Sequence, residues 1–151
     1  MTATIRIMAL DSLVEALRAA GLPATASLRD ANSVGSWPVV VVSLQGESKN
    51  SAGQQTFMEC QLRVRIDCLP SQQPDEIAYQ IDDLVTKVEL VLLAARDMTP
   101  TLGIDGVWDL ELRGYSTFMR DGDAMVFAGY DAVIKYRHNL RDPRIYTSPG
   151  N

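Results

Sequence analysis

Few residues in this chain are equipped for chemistry, and their spacing works against most of it. A single histidine, His138, follows Arg137 and lies close to Arg141. A catalytic base needs a nucleophile or an orienting carboxylate within hydrogen-bond reach. The surrounding sequence supplies neither, so His138 is read as a solvated residue at a strand end. Cys60 and Cys68 share one parity of an alternating run. Eight residues of strand at ~3.3 Å each separate them by roughly 26 Å, whereas a disulfide needs Cα atoms within ~7 Å. They are expected to be buried free thiols. Two such cysteines and one distant histidine do not make a tetrahedral metal site. Asp82 and Asp83 are adjacent, so on a helix they point in different directions. The turn Arg120-Asp121-Gly122-Asp123 resembles a fragment of a calcium loop but lacks the remaining ligands; Asp-Gly is what a tight hairpin turn requires. There is no glycine-rich phosphate loop and no GxSxG. The expectation is a chain without catalytic residues, cofactor or metal.

Composition sets wider bounds. The 151 residues are 46% apolar and 22% charged, ordinary values for a soluble domain large enough to bury a core. The net charge of -5 argues against a general nucleic-acid binder, which would carry a basic patch. It leaves room for a surface that DNA merely passes. MTATIRIMALD lacks a basic region followed by a long apolar run, and no apolar stretch approaches the ~20 residues that span a bilayer. The chain is expected to stay in the cytoplasm, without membrane contact.

The elements are organised around residues 57–68, FMECQLRVRIDC. Met58, Cys60, Leu62, Val64, Ile66 and Cys68 fall on one face; Glu59, Gln61, Arg63, Arg65 and Asp67 fall on the other, which Phe57 begins. Successive strand side chains point to opposite sides, so this is a long strand with one dry and one charged face. Before it, residues 3–20 read as a helix ended by Gly21 and Pro23. Ser12 and Glu15 offer a capping box for a shorter helix, but Ile5, Met8 and Ala9 extend the stripe. Residues 24–29 suggest a short strand, and Val39–Val42 begin a buried one over 39–44. Residues 46–55, GESKNSAGQQ, lack an apolar anchor and are expected to be a mobile hairpin loop or arm. Pro74-Asp75-Glu76 opens a second helix running to about Arg96. Its apolar stripe comprises Ile77, Ile81, Leu84, Val85, Val88, Val91, Leu92 and Ala95, with Asp82, Asp83, Thr86, Lys87 and Glu89 facing away. Residues 99–106 form a turn. Residues 107–118 alternate, with Trp108, Leu110 and Leu112 against Asp109, Glu111 and Arg113. Residues 124–136 return, with Val126, Ala128, Tyr130, Ala132, Ile134 and Tyr136 in phase. Residues 139–151 have no periodicity and read as an extended surface tail.

The expected fold is α+β: a mostly antiparallel sheet of four to five strands, two helices packed on one face, a long hairpin loop and an extended C-terminal tail. Residues 1–138 form a single domain and 139–151 the tail. No internal repeat or low-complexity tract is present.

This order resembles the tail-terminator, or tail-completion, proteins of long-tailed bacteriophages. The resemblance runs from LVEALRAAG through WPVVVVSLQG, FMECQLRVRIDCLP and DDLVTKVELVLL to WDLELRGYSTFMRDGDAMVFAGYDAVIKYRH. It rests on order, lengths and texture rather than on one diagnostic motif. It implies a non-enzymatic virion protein that forms a hexameric ring with copies of itself at the head-proximal end of the tail. The ring would be assembled in the host cytoplasm. It would stop growth of the tail tube, contact the tube protein and a head-side connector or neck protein, and let DNA pass through its lumen. Other neck or head-completion proteins share this texture. A small ligand-binding α+β module is the alternative of a different class, disfavoured because no polar cluster converges on an apolar pocket.

Ring closure by head-to-tail contacts needs two different complementary patches on each protomer. The charged sheet face supplies one candidate: Glu59, Arg63, Arg65 and Asp67 with Asp109, Glu111 and Arg113. The arm supplies a second through Glu47, Lys49, Asn50 and Gln54, and the tail a third through Arg141, Arg144 and Tyr146.

Overall fold

Residues 57–68 alternate so strictly that a strand there must have one dry side, and the fold is built on that side. The structure is a computed structural model and describes residues 3–26, 39–51, 56–69, 77–119 and 126–146. In chain order the elements are α1 (Ile5–Ala19), β1 (Ala24–Thr25), β2 (Val39–Asn50), β3 (Phe57–Leu69), α2 (Ile77–Asp97), a 3-10 turn (Thr101–Gly103), β4 (Val107–Met119), β5 (Val126–Asn139) and β6 (Asp142–Tyr146). The six strands form one mixed sheet in the order β1-β2-β3-β5-β4, with β6 paired to β5. Among the described strands only β1 and β2 run parallel. The fold is thus the expected α+β arrangement, with a sixth strand, β6, inside the expected C-terminal tail.

β3 is central, between β2 and β5. Cys60, Leu62, Val64, Ile66 and Cys68 are all buried on one face. Their partners across β5 are Tyr136, Ile134, Ala132, Tyr130 and Ala128, so two apolar rows lie side by side. Both helices contribute to the same core. α1 supplies Ile5, Ala9, Leu13, Val14 and Leu17; α2 supplies Ile81, Leu84, Val85, Val88, Leu92 and Ala95. Val40 and Val42 join this core, while Val39 and Val41 pack with Leu69 on the opposite side. The VVVV run is therefore buried on both faces, as its unbroken apolarity requires.

α1 takes the longer of its two expected forms. Thr4 caps it by accepting a hydrogen bond from the Ile7 amide at 3.3 Å. Gly21 ends it at φ +85, with Leu22 N–H bonded to the Leu17 carbonyl and Gly21 N–H to that of Arg18. That is a Schellman ending, and a side chain at Gly21 would be strained. Ser12 is not a cap; its hydroxyl donates to the Leu102 carbonyl at 2.9 Å and ties α1 to the turn after α2.

Several expectations change. The hairpin loop begins later than residue 46, because Gly46–Asn50 are strand, paired with β3 from Gly46↔Arg63 to Asn50↔Glu59. A bulge between Leu44 and Gly46 makes this possible. Residues 52–55, the last part of the expected arm, lie outside the described residues, as do residues 74–76 and the turn at 120–123. β1 is described at Ala24–Thr25, and residues 27–29 of the expected strand lie outside the described residues. The tail contributes β6, which turns back so that Asn139 pairs with Asp142 and His138 with Tyr146; residues 147–151 lie outside the described residues. In β4 a second bulge between Val107 and Asp109 takes Trp108 out of phase. Val107 and Leu110 are buried, while Trp108 is 40% exposed. Glu89 does not simply face solvent: its carboxylate accepts from the Tyr130 hydroxyl at 3.3 Å.

Leu62→Ala is expected to cost about 2–5 kcal/mol, since its side chain is 1% exposed and closely packed. Gln61→Ala, one residue away on the other face, should change stability by no more than ~0.5 kcal/mol. Urea denaturation of both variants measures the difference that parity makes.

Candidate interaction surface

The pleat sends every second residue of β3, β4 and β5 away from the helices. On this open face Arg65 pairs with Asp67 at 3.1 Å and with Asp131 at 3.2 Å. Lys135 lies 3.7 Å from Asp109 and 3.4 Å from Glu111, and Arg113 lies 3.3 Å from Glu111. Arg137 pairs with Glu59 at 2.9 Å. Its guanidinium also lies over the rings of Phe57, at 4.4 Å, and Trp108, at 5.0 Å. Its Nε is buried without a hydrogen-bond partner among the described residues, so the two π faces take over part of that role. Burial pushes the Asp67 carboxyl up, and the Arg65 hydrogen bond and charge do not fully offset it.

Two arginines on this face have seats prepared for them. A Cβ at Gly129 would stand 1.8 Å from an Arg65 guanidinium nitrogen, and one at Gly46 would stand 2.6 Å from that of Arg63. Glycine weakens a strand interior, and Gly129 sits between β3 and β4. The reason for glycine there is space: Arg65 lies flat across it and reaches Asp131. Arg63 carries no ion pair among the described residues. It borders a recess of about 490 Å³ with Gln45, Arg65, Arg113, Asp131 and Val133.

The expected surface residues thus separate into groups. Glu59, Arg63, Arg65, Asp67, Asp109, Glu111 and Arg113 do share one face. β5 completes it with Asp131, Lys135 and Arg137, which are not among the expected surface residues. The signal was available, since those residues alternate with the core positions of β5. Asn50 sits opposite Glu59 at the end of this face. Gln54 lies outside the described residues. Arg141 is in the exposed turn before β6, where its amide donates to the Asn139 side chain at 2.9 Å. Arg144 is bound to Asp142 through both its amide and its guanidinium, and Tyr146 pairs with His138 in backbone register.

Glu47 and Lys49 are elsewhere altogether. The bulge before Gly46 shifts the phase of β2, so Glu47 stands opposite Leu62 and Lys49 opposite Cys60, on the covered side. Glu47 accepts from Arg6 at 3.0 Å and from the Tyr136 hydroxyl. Lys49 lies 2.8 Å from His138 Nε2, while His138 Nδ1 is 2.5 Å from the Asn139 carbonyl. An ammonium can only donate and a carbonyl can only accept, so this geometry assigns the imidazole proton to Nδ1. His138 is 3% exposed, a correction to its reading as a solvated strand end. These groups form a polar knot around the largely buried Glu47 and His138, with Arg6 and Lys49 partly exposed, and it fastens β2 and β5 to α1.

The described side chains of the knot are bonded to one another. Burial pushes the Cys60 thiol up to about 11 and the Cys68 thiol up to about 12, so both are protonated near neutral pH. Both are free and buried. Burial also pushes the Tyr136 hydroxyl up, helped by Glu47. Among the described residues no group of three His, Cys, Asp or Glu side chains is placed to hold a metal.

Two predictions follow from these contacts. Gly129→Ala is expected to cost about 1–3 kcal/mol by displacing Arg65. In an Arg65→Ala background the same change should be neutral or stabilising by ~0.5–1 kcal/mol. Denaturation of the four proteins measures this reversal of sign. For Glu47, burial pushes the carboxyl up, but hydrogen bonds from Tyr136 and Arg6 and the charge of Lys49 outweigh burial and hold it below its ordinary value. A carboxylate depressed in the folded state contributes stability above its unfolded pKa of ~4.3, lost as pH falls through the folded value. Glu47→Gln should lower stability at pH 7 by about 1–3 kcal/mol, and that deficit should shrink as pH falls below ~4. Chemical denaturation across the pH range measures both.

No protein-family model and no curated protein sequence matches the chain. Among solved structures it is similar to the sheath/tube terminator of an extracellular contractile injection system, PVC, in its extended state, determined by cryo-EM. The TM-score is 0.53 at 14% identity. The likeness covers all of this chain but 62% of that one. At that identity it is a likeness of fold.

Proposed function

We infer that this chain is a structural assembly protein that terminates a tail tube of the phage type. The observation that carries the reading is the fold likeness to a sheath/tube terminator along the whole chain. The two-layer protomer supports it. A sheet covered on one side and ionic on the other gives a subunit two chemically different surfaces, and head-to-tail ring closure needs two. In this reading the protomers close a hexameric ring on the head-proximal end of the tube. One rim meets the tube protein and the other a head-side connector. DNA passes through the lumen, and the net charge of -5 suits a channel to which phosphates do not adhere. The protein does its work by binding rather than by reaction.

Light scattering after size-exclusion chromatography, with negative-stain microscopy, tests the ring. The expected result is a sixfold particle, either free or after addition of purified tube, where it should cap tube ends. A monomer or dimer that leaves tube ends bare would reject the reading. In tail assembly without this chain, tubes of uncontrolled length are expected; tubes of normal length would be equally decisive against it.

A further inference from the structure

The open-face recess and the outer face of α1 are complementary in charge and lie on opposite layers of the molecule. Arg63 is exposed at the recess and carries no ion pair among the described residues. Its neighbours are already engaged: Arg65 and Asp131 with each other, and Arg113 with Glu111. The recess therefore presents one uncommitted cation, held flat against Gly46. On α1, Asp11 and Glu15 are exposed, four residues apart, and carry no ion pair among the described residues. Like charges at that spacing weaken a helix, so α1 gains nothing from them by itself. Ile7 and Met8, one turn earlier, are 43% and 37% exposed. The stripe Met8, Asp11, Glu15 follows helical spacing.

We propose that the outer face of α1 in one copy docks on the Arg63 recess of the next, with Asp11 and Glu15 as the carboxylates that Arg63 receives. Because α1 packs on the covered side of the sheet and the recess lies on the open side, the two patches cannot meet within one chain. The contact is heterologous, and repeating it builds a ring or a filament. This deepens the proposed tube-terminating role and rests on it. The second copy is favoured over an unrelated acidic partner because the same chain carries both halves, and because the stripe adds apolar area beside the carboxylates.

The test is a charge exchange read by sedimentation velocity over a concentration series. Arg63→Glu and Glu15→Arg should each weaken self-association on the order of tenfold or more, with association falling as salt rises. The pair together should restore it toward the wild type. Both positions are exposed, so unchanged thermal unfolding midpoints confirm that the variants fold. If Arg63→Glu assembles like the wild type, the docking proposal is overturned and the ring reading stands. If each change weakens assembly and the pair does not rescue it, both surfaces are used but do not meet, and the proposal is again overturned. A wild type that never self-associates, with or without tube, removes both.

Discussion

Alternation along β3 and β5 does two jobs at once, and each depends on the other. The register that places Cys60 against Tyr136 and Leu62 against Ile134 also places Glu59 against Arg137 and Arg65 against Asp131. A slip by one residue would put guanidinium groups among the leucines of the core and apolar rows in water. The hydrophobic cost of that slip is large, at roughly 1.5–3 kcal/mol for each buried side chain exposed. Exposed ion pairs are worth ~0–1 kcal/mol each. The core therefore sets the register, and the ionic face inherits its order from it.

That hierarchy explains what could be read from the amino acids. β3, β5, α1 and α2 were visible because their apolar residues repeat at the period of the element that holds them. The far half of β2 was hidden. Gly46, Ser48 and Asn50 have the composition of a turn, and the residues that make Glu47 compatible with its near-burial are remote: Arg6 is 41 positions away from Glu47, and Tyr136 is 89. A periodicity argument sees neighbours along the chain, and this knot is made across it. The same holds for His138, whose partner Lys49 is 89 residues distant. β6 is only Asp142–Tyr146 and contains a proline, so local pattern had little to report.

Bulges account for the remaining misreadings. One extra residue in β2 carries Glu47 from the expected arm to the covered side, and another in β4 turns Trp108 from the core toward Arg137. Each bulge breaks parity on one strand while its partner keeps it. Two of the residues moved in this way have chemical individuality, a largely buried carboxylate and a partly exposed indole, while a further irregularity in β4 falls between Leu112 and Gly114. At Glu47 and Trp108 interruption of the period thus coincides with departure from ordinary core or surface behaviour.

The open face holds Arg63, Arg65, Arg113, Lys135 and Arg137 against Glu59, Asp67, Asp109, Glu111 and Asp131, an equal number of each sign. The chain as a whole carries -5, whereas the described residues of this face are balanced. Apart from Arg63, mutual pairing holds the long side chains of this face in place. Less rotamer freedom is then lost when the face is covered. Gly129 takes this further by giving Arg65 a fixed seat at the expense of strand propensity. Such an arrangement adds little to the stability of a lone subunit. In the proposed ring its value is orientation, because a charge already held in place distinguishes a correctly aligned neighbour from a displaced one.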